Sequence, residues 1–574
     1  MVEYSLDNDF NDSFKQYAFG VSIDSKNQLE EFARILRSGA QMVEINIASM
    51  YGGEGTSAEK IGKEERKAIS DLANINKVEL SVHAPWSLNL SGIDPRTGEK
   101  SPIYDSILKQ EIATSLNFVD DISQGMNAKH VPTIFHASND QFGNPDKNTV
   151  IFGYDVLENK VLPITRGEIP GLRRDDFLSK ELYGKEIEKI KDENVKKLVE
   201  EGIREEKRTF EVVTADGKKE VREEPVLVVS PEAQFELEKI RKREELAERM
   251  ASLDNYIYNI KELQLKNLPA QIQDAINRAD FVEAQNLMKT RDSLLKTVDE
   301  LETQRRFIEK QAASGIDPIV RYDEKAADLA AEGIKRAAIY SAFETKTQPA
   351  ILIENPMSPN MSLSNPQDLV RAIQKARELF VQEAVEKKGM SRSDAEELSK
   401  EIIGINLDTG HLNTFKAYGF KDEDLVNMAL KAKDYVKRYH LSDNMGATDA
   451  HLPLGQGTTP TKQIYEELKK AGVEVPAILE VFGGLGGLDM GASQSYQYMA
   501  ENMNIPVYGS IPYTSVQQYV SRPYSGLAGN YSAYSNLNLK NDFLSYGFSG
   551  LFPAVGGGYM EDKNKTPFSG VPMS

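Results

Sequence analysis

The sequence predicts a (β/α)8 barrel that carries a divalent-metal site at one end. Three observations support this prediction: eight short apolar runs recur along the chain, most are followed by an amphipathic helical stretch, and several end in a histidine or a carboxylate. Continuous apolar runs of this length are typical of strands that are buried on both faces of a parallel sheet. Eight strand–helix units in succession close into a barrel, whose catalytic groups lie at the carboxyl ends of the strands.

The predicted elements alternate along the chain in a regular order. The strands are expected at 17–23, 42–48, 78–83, 131–136, 349–354, 402–408, 435–440 and 476–480. The helices are expected at 27–38, 57–74, 104–126, 326–345, 366–387, 393–401, 422–434 and 461–471. This alternation favours a parallel sheet surrounded by helices.

One interval between predicted strands is much longer than the others. His83 and His136 are 53 residues apart, whereas Glu354 follows His136 after 218 residues. Because one strand–helix unit takes roughly 30–50 residues, we predict an insertion of roughly 160 residues between the fourth and fifth strands. The predicted divisions are the first half of the barrel at 1–140, the insertion at 141–325, the second half of the barrel at 326–503 and a C-terminal extension at 504–574.

The insertion combines two kinds of predicted structure. Its first part has the alternating pattern of β-hairpins, with a turn near Asp216-Gly217. Within 231–313, apolar residues recur at spacings of four and three, with a break at Asn267-Leu268-Pro269. This pattern predicts two helices folded into an antiparallel coiled-coil hairpin.

Composition limits the classes of function. The chain has no cysteine, which excludes disulfides and thiolate metal sites and leaves only nitrogen and oxygen ligands. A formal charge of −19 argues against a broadly basic surface that coats nucleic acid, although bound divalent ions would supply local positive charge. The chain has no run of 18 apolar residues and no signal-peptide pattern, so we expect a cytoplasmic protein without a membrane partner. The C-terminal extension is rich in Tyr, Gly and Ser without periodicity, which predicts irregular structure.

Histidines and carboxylates occur at the ends of the predicted strands or in the loops that follow them. Nine of them form the predicted ligand set: His83, His136, Glu354, Asp408, His411, His440, Asp449, His451 and Glu480. Mixtures of imidazole and carboxylate without thiolate suit zinc, manganese or similar divalent ions. Glu354 and Glu480 are lone acids in apolar strands, where a buried carboxylate needs a cation or hydrogen-bond donors. We therefore predict one or more metal ions at the barrel mouth, and a structural role for His130, which precedes a strand.

Several short motifs resemble those of a known superfamily. SVHAPWSLNL, LDTGHL, H-L-x-D, D-x-H followed by L-G-x-G, and I-L-E resemble the xylose-isomerase-like TIM barrels, and within them the endonuclease IV family of nucleases that act at abasic sites. The resemblance covers roughly 15–140 and 345–503 and leaves out the insertion and the extension. It implies a zinc-dependent phosphodiesterase that acts on abasic DNA in DNA repair.

The resemblance also implies a role for each ligand. Three zinc sites are expected, held by His83, His136 and Glu354, by Glu354, Asp408, His440 and Glu480, and by His411, Asp449 and His451. Glu354, Glu480 and His136 are expected to be catalytic, because the first two ions would share a hydroxide nucleophile. Trp86 and Asn89 are expected to bind substrate, with the indole of Trp86 stacking at the flipped-out abasic site. The alternative for Trp86 is that it packs the loop over the barrel mouth.

Two features favour a different branch of the superfamily. The loop after the second strand, SMYGGEGTSAEK, lacks the arginine that the nucleases carry there, and Glu44 resembles the V-E-L or V-E-I of sugar isomerases and epimerases. In that branch a single Mn2+ or other divalent ion is bound by Glu354, Asp408, His440 and Glu480 alone. The acids among these residues also transfer protons. The alternative function is therefore an isomerase or epimerase that acts on a small sugar phosphate.

A third hypothesis concerns the regions outside the barrel. The helical hairpin at 231–313 could recruit a protein partner or drive self-association, with the barrel as its platform. The complete ligand set argues against a purely structural role for the barrel, because several ligands would be expected to decay without chemistry.

Overall fold

The computed structural model describes residues 19–23, 27–37, 42–51, 56–143, 150–170, 188, 190–213, 219–313, 315, 317–481, 494–495, 498–499 and 502–503. These ranges include all nine predicted ligands and both residues predicted to bind substrate. The predicted C-terminal extension, from 504 onward, lies outside them. None of the helices within these ranges is both long enough and apolar enough to cross a membrane.

Eight parallel strands close into a barrel. The strands of the described residues are β1 (Phe19–Ile23), β2 (Met42–Asn46), β3 (Glu79–His83), β4 (Pro132–His136), β5 (Val150–Asp155), β6 (Lys160–Thr165), β7 (Gly167–Pro170), β8 (Ile203–Val213), β9 (Lys219–Val229), β10 (Ile319–Arg321), β11 (Ala350–Glu354), β12 (Ile403–Asp408), β13 (Val436–Leu441) and β14 (Ala477–Leu479). The barrel order is β1-β14-β13-β12-β11-β4-β3-β2, and β1 pairs with both β14 and β2. This arrangement confirms the predicted (β/α)8 barrel.

Helices alternate with the barrel strands along the chain. The α-helices of the described residues are α1 (Gln28–Arg37), α2 (Lys63–Asn76), α3 (Pro102–Met126), α4 (Glu193–Gly202), α5 (Pro231–Tyr258), α6 (Leu268–Asn277), α7 (Phe281–Ala313), α8 (Tyr322–Glu344), α9 (Pro366–Lys388), α10 (Arg392–Ile402), α11 (Thr409–Asn413), α12 (Asp422–Lys431) and α13 (Thr461–Lys470). Side-chain caps determine several of their first residues. The hydroxyl of Ser101 accepts a hydrogen bond from the backbone N–H of Tyr104, and Pro102 is tolerated in the first turn. Helix α3 therefore begins two residues before its predicted start.

The alternation of side chains along each strand separates the core from the barrel interior. In β11, Ile351 and Ile353 belong to the apolar core between the sheet and the helices. Residues that alternate with them, Leu352 and Glu354, therefore point into the barrel. The same alternation in β2 sends Val43 and Ile45 to the helices and turns Glu44 inward.

The strand register brings the carboxyl ends of different strands to one rim of the barrel. Glu354, the last residue of β11, pairs with His136, the last residue of β4. Asp408, the last residue of β12, pairs with His440 of β13. Parallel strands in register thus place residues that are distant in sequence side by side, at the end where barrel enzymes carry their chemistry.

The insertion between β4 and β11 contains two small antiparallel sheets. One has the strand order β10-β5-β6 and the other β7-β9-β8. Strands β5 and β6 form a hairpin in which Val150 pairs with Thr165, and β8 and β9 form a second antiparallel pair that ends at Val213 and Lys219. The turn predicted near Asp216-Gly217 lies outside the described residues.

The helical part of the insertion differs from the predicted two-helix hairpin. A π-helical segment at 259–265 follows α5, and α6 then begins at Leu268 and ends before Ala279, whose φ is 59°. Pro269 lies in the first turn of α6, where a helix needs no N–H donor. The break at 267–269 therefore starts a third helix, and α7 packs against both α5 and α6. Partner binding or self-association through this region stays a prediction.

Candidate metal centre

The nine predicted ligands come together in three groups at the rim of the barrel. The groups are His83, His136 and Glu354; Glu354, Asp408, His440 and Glu480; and His411, Asp449 and His451. Within each group the candidate ligand atoms all lie within 4.8 Å of one another. We name them the first, second and third groups. Glu354 belongs to two of them, so the first and second groups share a carboxylate.

Strand ends supply the first two groups directly. His83, His136, Glu354 and Asp408 are the last residues of β3, β4, β11 and β12, and Glu480 follows β14 by one residue. His440 is the inward-facing residue before the end of β13. The backbone of the sheet therefore determines where these side chains start, and none of the six depends on a long loop.

The first group surrounds one oxygen of Glu354. His83 Nε2 lies 3.1 Å from Glu354 Oε2, and His136 Nε2 lies 3.4 Å from the same oxygen. His83 Nδ1 lies 2.7 Å from the backbone carbonyl of Ala84, which can only accept, so Nδ1 carries the proton. A metal-binding histidine is commonly held in this way by a carbonyl behind the ring, with the other nitrogen turned toward the ion.

The second group is built around His440, which is fully buried. Its Nδ1 lies 2.6 Å from Glu354 Oε1 and 2.9 Å from Glu480 Oε2. Its Nε2 forms an ion-pair contact of 3.0 Å with Glu44 Oε1, and the other oxygen of Glu44 accepts a hydrogen bond of 2.9 Å from the hydroxyl of Ser81. Glu44 thus fixes the ring of His440 so that Nδ1 is the nitrogen that faces the acids.

This contact of Glu44 is not among the features predicted from the sequence, in which Glu44 indicated only a similarity to sugar isomerases and epimerases. Glu44 nevertheless showed the pattern that identified Glu354 and Glu480, a single acid within an apolar strand, MVEIN. That pattern could have placed Glu44 among the functional residues.

The third group depends on a short helix and a loop. Helix α11 begins directly after β12 because Asp408 caps it, accepting a 2.7 Å hydrogen bond from the N–H of His411. His411 Nδ1 lies 2.7 Å from the carbonyl of Asn355, and its Nε2 lies 3.0 Å from Asp449 Oδ2. His451 Nδ1 lies 3.4 Å from the same oxygen of Asp449.

The third group also adjoins the second. His451 Nε2 lies 3.4 Å from Glu480 Oε1, so Glu480 faces histidines of both groups. His451 has a φ of 46°, in the left-handed region that residues other than glycine rarely adopt. The loop after β13 must therefore impose this backbone conformation to bring the imidazole to the centre.

Mutual attraction within the centre governs the pKa values of its acids. Burial by itself raises the pKa of Glu354, but the facing imidazole of His440 outweighs it and holds the pKa well below 4.5. The pKa of Glu480 is also well below 4.5, because the charges of His451 and His440 outweigh the effect of burial. Burial and the neighbouring carboxylates raise the pKa of Asp408 to about 7, against the opposing charge of His411.

The histidines divide into proton-holding and neutral rings. Burial lowers the pKa of a histidine, yet the hydrogen bond and charge of Glu354 raise the pKa of His83 to about 9. Asp449 and Glu480 likewise overcome burial and raise the pKa of His451 to about 9. Burial dominates at His136 and lowers its pKa to about 4. His136 is therefore neutral near pH 7, whereas His83 and His451 carry protons when only the acids face them.

The donor set fits divalent metal ions. Oδ2 of Asp408 and Oδ1 of Asp449 are buried without a hydrogen-bond partner among the described residues. Buried carboxylate oxygens are costly unless a cation or a donor satisfies them. Imidazole nitrogens and carboxylate oxygens without thiolate suit Zn2+ or Mn2+. These residues could hold metal ions in all three groups.

Metal binding is expected to release protons between pH 7 and 9. A ligand histidine must be neutral, so the ion that binds His83 in the first group and the ion that binds His451 in the third would each displace a proton, and the apparent affinity rises with pH toward about 9. Calorimetric titration of chelator-treated protein with zinc, in buffers of different ionisation enthalpy, measures this release. His83→Gln should release one proton fewer than the wild type. Affinity and heat that do not change across this pH range would contradict the expectation.

Trp86 and Asn89, the predicted substrate-binding residues, occupy different environments. Trp86 is 58% exposed, and its carbonyl accepts a 3.0 Å hydrogen bond from the side chain of Asn139. Asn89 is fully buried, where its amide donates to the carbonyl of Ile93 at 3.0 Å and to Asp140 at 3.4 Å. The indole is available to a ligand, whereas the Asn89 side chain is engaged within the loop. Substrate binding by either residue stays a prediction.

The sixth histidine lies outside the three groups. His130 Nδ1 is 2.8 Å from the carbonyl of Gln348, and its Nε2 is 3.6 Å from Glu401. It precedes β4, at the end of the barrel opposite the metal centre. These contacts agree with the structural role that its position in the sequence suggested.

One protein family matches part of this chain. The family described as xylose isomerase-like TIM barrel matches residues 324–501. Residues 324–501, which include β11 to β14, are thus similar to this family. The matched residues include every ligand from Glu354 to Glu480, whereas His83 and His136 precede them. Xylose isomerase-like barrels are enzymes, so the three ligand groups lie where an active site is expected.

Solved structures similar to this chain include sugar epimerases. A D-tagatose 3-epimerase-like protein is 14% identical, with 85% of this chain and 98% of that chain covered and a TM-score of 0.33. The D-allulose 3-epimerase of Methylomonas sp. is 8% identical, with coverages of 83% and 89% and a TM-score of 0.35. The 3-keto-D-glucoside 4-epimerase YcjR of E. coli is 8% identical, with coverages of 84% and 99% and a TM-score of 0.33. No curated protein sequence matches the chain. Similarity of this degree leaves the reaction open.

Proposed function

We propose that the barrel is a divalent-metal-dependent phosphoesterase that binds up to three ions, with zinc as the expected metal. Abasic DNA, in which one sugar of the continuous strand has lost its base, is the proposed substrate. The observation that carries the proposal is the set of three ligand groups, joined through Glu354 and adjoining through Glu480. Sites of this kind clamp a phosphate and activate water when ions are bound.

The charge of the centre depends on how many ions it holds. Its four carboxylates, Glu354, Asp408, Asp449 and Glu480, carry four negative charges when ionised. Three divalent ions with neutral histidines leave an excess of two positive charges, which attracts an anionic phosphate. With one ion, in the second group, the same carboxylates face His83 and His451, which keep their protons at pKa values of about 9, so the centre is close to neutral and attracts a phosphate less. The three-ion site therefore suits a phosphodiester.

The residues of the chain have distinct parts in this proposal. Glu354 presents one oxygen to the histidines of the first group and the other to His440 of the second, so it would help to hold an ion in each group. His136, whose pKa is about 4, is neutral and ready to bind metal near pH 7. The exposed indole of Trp86 offers a flat surface on which the sugar or a neighbouring base can stack.

A second candidate function is isomerisation or epimerisation of a sugar phosphate with one ion. The second group alone is complete for a single divalent ion, and Glu354 and Glu480 both approach His440 Nδ1. With an ion held by this group, these two carboxylates would be able to transfer protons to and from a substrate carbon.

The loop after β2 favours this second candidate. Glu111 accepts hydrogen bonds from the hydroxyl of Ser49 and, at 3.0 Å, from the N–H of Met50. This buried carboxylate ties the described start of the loop to α3. No residue of the loop is an arginine, so the loop brings no guanidinium to a DNA backbone.

Metal stoichiometry separates the two candidates. Three zinc ions per chain in protein purified without chelator, with cleavage of an oligonucleotide at an abasic site, is the result expected of the phosphoesterase. His451→Ala should then lose one ion, because His451 belongs only to the third group. One ion per chain in the wild type, an unchanged count in His451→Ala and turnover of a sugar phosphate would replace the first candidate by the second.

A further inference from the structure

Two features of the chain lie beside the metal centre, in the loop that follows β13. Asp443 follows β13 by two residues, and the L-G-x-G motif at 454–457 closes the loop that leaves that strand. Neither supplies a ligand to any of the three groups. The structure brings them into direct contact.

The carboxylate of Asp443 receives four backbone hydrogen bonds. Its Oδ2 accepts from the N–H of Gly455 at 2.9 Å and of Gly457 at 2.8 Å. Its Oδ1 accepts from the N–H of Asn444 at 2.8 Å and of Thr459 at 2.9 Å. Asp443 is 3% exposed, so these bonds form away from solvent. A single buried carboxylate thus ties together both ends of the loop at 444–459.

The backbone of Asp443 closes the loop a second time. Its N–H donates to the carbonyl of Leu452 at 2.9 Å, and its own carbonyl accepts from the N–H of Leu452 at 2.7 Å. Leu452 follows His451 directly. The pair of bonds therefore holds the chain immediately beside the ligand whose backbone has the left-handed φ of 46°.

The two glycines of the motif permit this close approach. A Cβ at Gly457 would overlap the carbonyl oxygen of Asn444 and Oδ1 of Asp443. Gly455 has a φ of 83°, in the region that favours glycine. The two glycines of L-G-x-G therefore allow the loop backbone to approach Asp443 closely enough to donate hydrogen bonds to its carboxylate.

The third group is the only one that depends on this loop. Asp449 and His451 lie within it, whereas the ligands of the first and second groups lie at the end of a strand or within one residue of that end. We propose that Asp443 is a positioning residue that decides whether the third ion binds, and through the ion count decides whether the centre accepts a phosphodiester. This inference rests on the proposed three-ion function.

The test compares zinc content in two matched variants. In Asp443→Asn the new amide turns an N–H toward the N–H donors of the loop, so the third ion should bind about 10–100-fold more weakly. Dialysis against a fixed free zinc concentration should then leave one ion fewer than in the wild type. Asp120→Asn is the control: Asp120 is also buried and accepts from the N–H of Lys346 and Thr347, but at the opposite end of the barrel. Its zinc content should equal that of the wild type.

A second variant protects the test against a folding defect. Gly455→Ala strains the backbone at one of the N–H donors and leaves the carboxylate of Asp443 in place, so this variant should lose the same ion. Circular dichroism melting verifies that each variant is folded. A wild type with three ions and folded variants that keep all three would overturn the inference and leave the phosphoesterase proposal standing. A wild type with one ion would instead overturn the phosphoesterase proposal and, with it, the role of Asp443. Loss of one ion in Asp120→Asn as well would also overturn the inference, because general destabilisation would then explain the result.

Discussion

Replacing Glu354 by glutamine is expected to abolish activity, whichever of the two candidate reactions the barrel performs. One oxygen of Glu354 lies between His83 and His136 and the other faces His440, so this carboxylate joins the first and second groups. Glutamine is neutral and offers only one oxygen, so it cannot serve both groups. We expect a loss of about 1,000-fold or more in turnover, comparable with or larger than removal of one stabilising donor in an active site.

Metal content and turnover should be measured together in this variant. Elemental analysis should show loss of ions from the first and second groups, while assays use abasic DNA and a panel of sugar phosphates. Glu386→Gln is a suitable control, because Glu386 is exposed on α9 and its carboxylate accepts from the side chain of Gln382, away from the metal centre. Turnover at the wild-type level in Glu354→Gln would remove both candidate functions.

Replacing Glu44 by glutamine is expected to weaken metal binding at the second group by about 10–100-fold, the usual effect of removing a carboxylate behind a metal-binding histidine. The carboxylate of Glu44 lies 3.0 Å from His440 Nε2 and increases the basicity of the ring. Glutamine can still accept a hydrogen bond from that nitrogen but brings no charge. The ring should keep its orientation while its affinity for the ion falls.

Competition with a chromophoric chelator measures this affinity. Activity should fall at limiting metal and recover at saturating metal, which distinguishes weakened binding from a damaged fold. Glu79→Gln provides the control, since Glu79 begins β3 at the other end of the barrel and is exposed. An unchanged chelator competition in Glu44→Gln would show that the ring of His440 needs no carboxylate behind it.

The fold and the ligand set were predictable because both follow from patterns within single strands. Each barrel strand was an apolar run that lies within two residues of its predicted bounds. His83, His136, Glu354 and Asp408 could be assigned to one site before any distance was known, because each ends its strand and parallel strands end at one rim.

Other features depend on contacts between residues that are far apart in the chain. Glu44 contacts His440, and the loop after β13 closes on Asp443. No repeating pattern in the sequence predicts either contact, because the position of each partner depends on the folded barrel. In the helical part of the insertion, the two-helix prediction was wrong because the local pattern allows two structures. The break was located correctly, but Pro269 is as compatible with the first turn of a new helix as with a chain reversal.

By itself the sequence determined the architecture of this chain, the insertion between the fourth and fifth strands, and the nine residues that could bind metal. Those conclusions need only hydrophobic periodicity and the chemistry of residues at strand ends. Tertiary structure decided that Glu44 lies behind His440, that Asp443 closes the loop of the third group, and that Asn89 is buried within its loop. The physical reason is that a supporting carboxylate or a buried amide is defined by distances across the barrel, which depend on strand register and on loop closure and not on local pattern.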